Sequence, residues 1–235
     1  MMCLLAPRGT TRFRAVAATT ASTAATAAGY DLTHDFLAGF GNDTVTGSSL
    51  ADVIYGGDGD DLLGPGFGGT DWLYGGAGND TATFLVAVQA VTADLVAGTA
   101  TRGAAVANLF SIENLTGSTL DDVLRGNGLD NRLKGEDGND ILVGRGGNDL
   151  LIGGAGNDKF IFASGSGQDT ITDFTAGAGS EDVIDIAAYG FADLASLMAN
   201  TTDVGANTVI DFNGIDTLTL LNVQKADLHA DDFLF

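Results

Sequence analysis

The chain is predicted to be all-β, a solenoid of short strands stacked one above another. Three observations predict it. Glycine accounts for 35 of 235 residues while proline accounts for two. Of 31 acidic residues only Glu113, Glu136 and Glu181 are glutamate, and the rest are aspartate. Finally, GGDGDDLLG at 56–64 returns with small edits at 135–143 and 144–152. A periodic sequence of this kind marks a repeat architecture before any other feature is considered.

The repeat has nine residues. From Ala38 the frame reads AGFGNDTVT, GSSLADVIY and GGDGDDLLG; after the extra Pro65 it continues as GFGGTDWLY and GGAGNDTAT, ending at residue 83. A second block from Gly117 reads GSTLDDVLR, GNGLDNRLK, GEDGNDILV, GRGGNDLLI and GGAGNDKFI, ending at residue 161. Position six holds Asp43, Asp52, Asp61, Asp71, Asp80, Asp122, Asp140, Asp149 and Asp158, with Asn131 as the exception. Position eight holds Val45, Ile54, Leu63, Leu73, Leu124, Leu133, Leu142, Leu151 and Phe160, with Ala82 as the weak member.

Each half of the unit has a physical role. Glycines at positions one, two and four permit positive φ and tight curvature. The last three residues form a short strand with one side chain turned inward. One unit buries almost nothing, whereas stacked units join their position-eight residues into a continuous apolar ladder. Two nonads complete a coil, so nonads n and n+2 lie above one another and their position-six carboxylates converge. Such a stack repels itself unless a cation sits within it. Carboxylates and carbonyls without imidazole or thiolate suit Ca²⁺, which accepts many oxygens at variable geometry; Mg²⁺ demands a stricter octahedron. An acidic solenoid without metal would leave its carboxylate columns without partners.

The pattern G-G-x-G-x-D-x-U-x resembles the RTX, or haemolysin-type, calcium-binding repeat. The resemblance implies a parallel β-roll with several Ca²⁺ ions in its turns. It also implies a ligand set. One site joins Gly57, Gly59 and Asp61 to Gly75, Ala77 and Asp80, and another joins Glu136, Gly138 and Asp140 to Gly153, Ala155 and Asp158. Asp43 with Asp61, Asp52 with Asp71, and Asp122 with Asp140 make further pairs. The neutral Asn131 weakens its site with Asp149, and the frame shift at Pro65 bears on the Asp52–Asp71 pair. The segment from Ser111 to Gly117, and GGAGNDKFIF followed by DTITDF, are similar to the C-terminal module of serralysin-type proteases and to repeat modules of alginate epimerases.

The frame divides the chain into an N-terminal segment (1–37, disordered or partly ordered), a first block (38–83), an irregular β spacer (84–116), a second block (117–162) and a C-terminal cap (163–235). Within the spacer, Ala90–Leu95 alternates and Asn108–Leu115 suggests a strand. In the cap, Thr170–Phe174 suggests a strand, and Phe191, Leu194, Leu197 and Met198 fall at helical spacing. Thr208–Phe212, Asn213-Gly214 and Ile215–Leu221 spell a β-hairpin. Asp173, Asp182 and Asp185 offer one more oxygen set, against the simpler reading of a solvated surface. The ending Asp231-Asp232-Phe233-Leu234-Phe235 resembles an uncleaved type I secretion signal.

Composition excludes several functions. A formal net charge of −21 leaves no basic stripe for phosphates or anionic lipid. Cys3 is the sole cysteine, so there is no disulfide framework. The Ala/Thr-rich run after Arg8, Arg12 and Arg14 ends near an A-x-A sequence at 25–27, but it is too polar for a secretory h-region. His34 and His229 do not form H-E-x-x-H, and neither G-x-S-x-G nor a P-loop lysine is present. Trp72, at position seven, faces outward, where a sugar contact is the functional alternative to plain exposure.

The expected function is therefore that of a secreted, extracellular calcium-binding module, not an enzyme. It folds on Ca²⁺, engages the type I secretion machinery and has no cleaved N-terminal signal. The alternative is the C-terminal part of a larger secreted enzyme, serralysin-like or epimerase-like, or of an adhesin, with extracellular polysaccharide or an upstream catalytic domain as partner.

Overall fold

The computed structural model describes residues 11–14, 21–23, 34–179 and 182–235, with backbone alone for 11–14, 21–23 and His34. Cys3, the A-x-A sequence at 25–27 and Glu181 lie outside the described residues. Strands alternate between two sheets, one of twelve strands and one of eleven, and each sheet is dominated by parallel neighbours. This is the parallel β-roll that the repeat predicts.

The alternation follows from the nonad. Each x-U-x triplet forms a short strand or the start of one; in Val123–Arg125, Ile141–Val143 and Lys159–Ile161 only the central residue is buried. The eleven-stranded sheet carries an unbroken inward column of Val45, Leu63, Ala82, Leu115, Leu133, Leu151, Ile171 and Leu220, each paired in register with the next. All are at most 2% exposed. Burying each larger side chain contributes about 1.5–3 kcal/mol, which offsets the entropy of ordering so many glycines. On the outer face Tyr74 stacks between Tyr55 and Phe110, with ring centroids 4.8 and 4.6 Å apart.

Pro65 is absorbed without ending the stack. The offset between paired rungs rises from 18 residues at Val45–Leu63 to 19 at Leu63–Ala82, and pairing continues. Hydrogen bonds from Gly47 to Gly64 and from Phe67 to Ser48 bracket the extra residue.

The spacer treats the two sheets differently. In the eleven-stranded sheet it contributes one ordinary rung, Asn114–Thr116. In the twelve-stranded sheet Val91–Asp94, Thr99–Arg102 and Ala105–Phe110 form an antiparallel meander, set between the strands Thr70–Ala77 and Val123–Arg125. The strand expected at 108–115 is therefore two strands in different sheets, separated where Ser111 takes a positive φ of 50°.

In the cap the strand expected over 170–174 lies instead at Gln168–Ile171, with 172–174 beyond its end, and the helix is Leu194–Met198, with Phe191 ahead of it. Asp193 caps that helix by accepting the Ser196 N–H at 2.8 Å. The hairpin Asn207–Asp211 and Thr217–Leu220 is present, and Thr201–Val204 extends it to three strands. Phe233–Leu234 pairs in parallel with Val183–Asp185, so the terminal hydrophobics join the twelve-stranded sheet. At the other end Thr11–Arg14 and Ala21–Thr23 pair with His34–Phe40 and Thr44–Thr46, so the segment before residue 38 contributes rungs of its own.

Candidate metal centre

The position-six side chains form two columns, one along each edge of the roll. Asp61, Asp71, Asp80, Asp140, Asp149 and Asp158 each accept the backbone N–H of the position-six residue one coil earlier. Thus Asp61 Oδ1 accepts from Asp43 at 2.7 Å, Asp80 Oδ1 from Asp61 at 2.8 Å, Asp140 Oδ1 from Asp122 at 2.7 Å and Asp158 Oδ1 from Asp140 at 2.8 Å. Asp71 receives Asp52, and Asp149 receives Asn131, at 3.0 and 2.8 Å. The pairs expected from the nonad frame are the pairs that adjoin.

The second carboxylate oxygen is different. Oδ2 of Asp61, Asp80, Asp140, Asp149 and Asp158 is buried and receives no hydrogen bond. These oxygens lie over the position-one glycines of their own nonads. A Cβ at Gly56 would collide with Asp61 Oδ2 and the Gly75 carbonyl oxygen, and one at Gly135 with Asp140 Oδ2 and the Gly153 carbonyl oxygen. Position one is thus glycine for space. Positive φ belongs to positions two and four, as at Gly57 and Gly59, and even Glu136 adopts 86° at position two. That corrects the expectation of positive φ at position one except at Gly66, directly after the extra Pro65, where φ is 84°.

A buried carboxylate oxygen without a donor costs several kcal/mol when charged. Burial accordingly pushes the Asp140 carboxyl up to about 7, with the Asp158 and Asp122 charges adding to it against the Asp122 N–H. Burial likewise raises Asp80, Asp149 and Asp158 to about 6. Among the described residues no three His, Cys, Asp or Glu side chains cluster as a metal cage. The oxygens on offer are instead one carboxylate per turn and the glycine carbonyls beside it. A donor set made only of oxygen, drawn together where even a methyl group would collide, fits a hard cation of flexible coordination.

Not every turn is alike. Where position four is Leu50, Leu120 or Leu129, the turn closes on itself. Ser48, Ser118 and Asn127 accept the position-four N–H through their side chains, and their own backbone N–H groups donate to Asp52, Asp122 and Asn131. The neutral Asn131 also donates through Nδ2 to the Glu113 carbonyl at 2.8 Å. Glu136 is spent partly on an ion pair with Lys134 at 2.6 Å.

Three contributors were not legible as such. Asp169 lies in an eleventh unit, SGSGQDTIT, displaced two residues from the frame. Its Oδ1 accepts the Asp149 N–H at 2.9 Å, and its buried Oδ2 lacks a donor. Glu113 stands at position six of the spacer's last nonad, accepting the Asp80 N–H at 2.8 Å. A position-five column also runs in the opposite sense, with Asn42 accepting from Asp60 and Asp60 from Asn79 at 3.0 and 2.9 Å. Asp173, Asp182 and Asp185 do not form one site. Asp173 binds the Gly153 and Gly154 N–H groups, the buried Asp182 closes a column on the Asp158 N–H, and Asp185 pairs with Lys159.

Comparison with known proteins agrees. The model for the RTX calcium-binding nonapeptide repeat (4 copies) matches residues 37–68, 65–83, 116–151, 125–160 and 141–171. No curated protein sequence matches the chain. Two solved structures of mannuronan C5-epimerase subunits from Azotobacter vinelandii are similar. AlgE6R3 is 32% identical over 52% of this chain and 77% of its own, with a TM-score of 0.42. AlgE6R2 is 30% identical over 51% and 91%, with a TM-score of 0.37. The extracellular lipase LipA of Serratia marcescens is 21% identical over 90% of this chain, with a TM-score of 0.36; the chain spans 41% of the lipase's length. Calcium is the ion such repeats take, several to a chain. The two blocks of nonapeptides in this chain are RTX calcium-binding repeats.

Proposed function

We propose that this chain is a secreted module whose β-roll folds as calcium binds, serving export by a type I route and stability outside the cell. The observation that supports it most is the set of buried, donor-less Oδ2 atoms, which at Asp61 and Asp140 lie beside the carbonyls of Gly75 and Gly153. Without a cation they disfavour the stacked state; with one, binding free energy becomes folding free energy. Asp61 and Asp80, and Asp140 and Asp158, would hold ions together with carbonyls from Gly57, Gly59, Gly75 and Ala77, and from Glu136, Gly138, Gly153 and Ala155. At low cytosolic calcium the acidic columns would keep the chain extended for export. At the roughly 10⁻⁴–10⁻³ M dissociation constants of extracellular modules it would fold on arrival. No catalytic role is assigned to its residues.

Circular dichroism through a Ca²⁺ titration, repeated with Mg²⁺, tests this reading. The expected result is a coil-to-β transition with Ca²⁺ that EGTA reverses and Mg²⁺ does not reproduce. A chain fully folded in EGTA would sink it.

A further inference from the structure

The stretch of one edge that bears Asp52, Asp71 and Asp122 differs from the runs at Asp61–Asp80 and Asp140–Asp158, whose outer oxygens have no donor. We propose that this stretch, on both sides of the meander, is closed by the protein's own donors in place of calcium, with the Arg102 guanidinium as a fixed cation on Asp71. The inference rests on the calcium reading above and narrows it, since it states which position-six carboxylates take no ion.

Asp71 Oδ2 corresponds to the oxygen that is buried without a donor in Asp61, Asp80, Asp140, Asp149 and Asp158. Here Arg102 Nη2 lies 3.0 Å from it, and Arg102 Nη1 donates to the Gly66 carbonyl of the same turn. The two side chains are 4% and 0% exposed. One guanidinium thus engages a carboxylate and a turn carbonyl, the two kinds of oxygen that a cation would take. Arginine suits burial of this sort, being planar, permanently charged and weakly hydrated. Its Cζ lies over the fully buried Phe84 ring, 5.8 Å from the ring centroid.

The topology explains why the substitute is needed here. Arg102 ends the middle strand of the meander that interrupts the twelve-stranded sheet directly after Asp71's strand. No nonad follows one coil later on that edge to supply opposing oxygens, so the insertion supplies a charge of its own. The turns on either side are closed as well. Asp52 Oδ2 takes the Ser48 N–H at 2.6 Å and its hydroxyl at 3.1 Å. Asp122 takes the Ser118 N–H and hydroxyl, and the Val91 N–H at 2.6 Å. A second arginine repeats the device where the column has lost its charge at Asn131. Arg145 Nη1 donates to the Gly126 carbonyl at 2.6 Å, and the guanidinium forks onto Asp94 of the meander at 2.8 and 2.7 Å. Calcium in the first block is therefore confined to the Asp61–Asp80 edge, whereas the second block takes it on both.

The test is a count of bound ions on the full chain, by equilibrium dialysis against Ca²⁺ with elemental analysis, for wild type, D61N, D71N, D140N and D71N/R102Q. D61N and D140N should each lose at least one ion, while D71N and D71N/R102Q retain the wild-type number. An ion lost in D71N, or in D71N/R102Q where D71N fails to fold, overturns the proposal. Unchanged counts in D61N and D140N would instead overturn the calcium assignment itself. A second readout is the urea midpoint in saturating Ca²⁺. R102Q should lower it by leaving a buried carboxylate alone, and D71N/R102Q should restore at least half of the loss; no restoration means that Arg102 acts by packing only.

Discussion

Replacing Asp140 by Asn exchanges one oxygen for an NH₂ group, yet its effect should change sign with calcium. The Oδ1 that accepts the Asp122 N–H at 2.7 Å is kept, so the ladder survives. What is lost is the charge on the buried, donor-less Oδ2 beside the Gly153 carbonyl. With calcium at a hundredfold excess over its dissociation constant, one site contributes about 2.7 kcal/mol to the folded state. In a chain of this size each kcal/mol moves the melting temperature by about 2–4 °C, so the loss of one site lowers it by about 5–11 °C. In EGTA the same change removes a desolvated charge, and the folded state gains. Thermal melts followed by far-UV circular dichroism read the first effect. The second is read as a lower sucrose concentration needed to induce β structure without metal. Equal destabilisation in both buffers would refute the reasoning, because Oδ2 would then be a structural atom and not a ligand.

Acid should act oppositely on the two states. Burial holds Asp140 and Asp169 at about 7, and Asp80, Asp149 and Asp158 at about 6, against 3.8 ordinarily. Folding without metal therefore takes up protons between these values, so the metal-free roll gains stability as pH falls from about 7 to about 4 and loses it on the return. Protons compete with calcium for the same oxygens, so the Ca²⁺ midpoint at pH 5.5 should lie above that at pH 7.5, as a titration at each pH would show. Leu142→Ala, in the fully buried rung, should cost about 2–5 kcal/mol in a urea melt. Gly135→Ala places a methyl against Asp140 Oδ2 and should raise the Ca²⁺ midpoint in the same dichroism titration; an unchanged midpoint would mean that the space is not a ligand cradle.

The sequence exposed whatever repeats strictly and concealed whatever compensates for a break. Columns six and eight were visible because each residue does one job at one spacing: Leu133 and Leu151 fill the core, and Asp140 and Asp158 line one edge. Asp169 escaped because Phe162 and Ala163 shift the frame by two residues, which the cap absorbs. Glu113 escaped because its longer side chain does an aspartate's work. The meander was legible only in part, at 90–95 and 108–110, because Ala93, Ala100 and Ala107 line its inner side with small residues, although all are fully buried. Arg102 acts through a partner 31 residues away, and no spacing announces such a pair.

The route around the spacer also shows what kinds of length change the roll can absorb. Ala82 and Leu115 are 33 residues apart yet occupy adjacent rungs of one sheet, just as Leu115 and Leu133 do at 18. What is conserved is parity: an excursion of any length is harmless if the chain returns to the sheet it left. One residue added in a turn, like Pro65, is slack. One nonad added or deleted would hand every downstream strand to the opposite face and send each aspartate to the wrong edge. Such a chain should therefore lengthen in whole coils, by eighteen residues at a time.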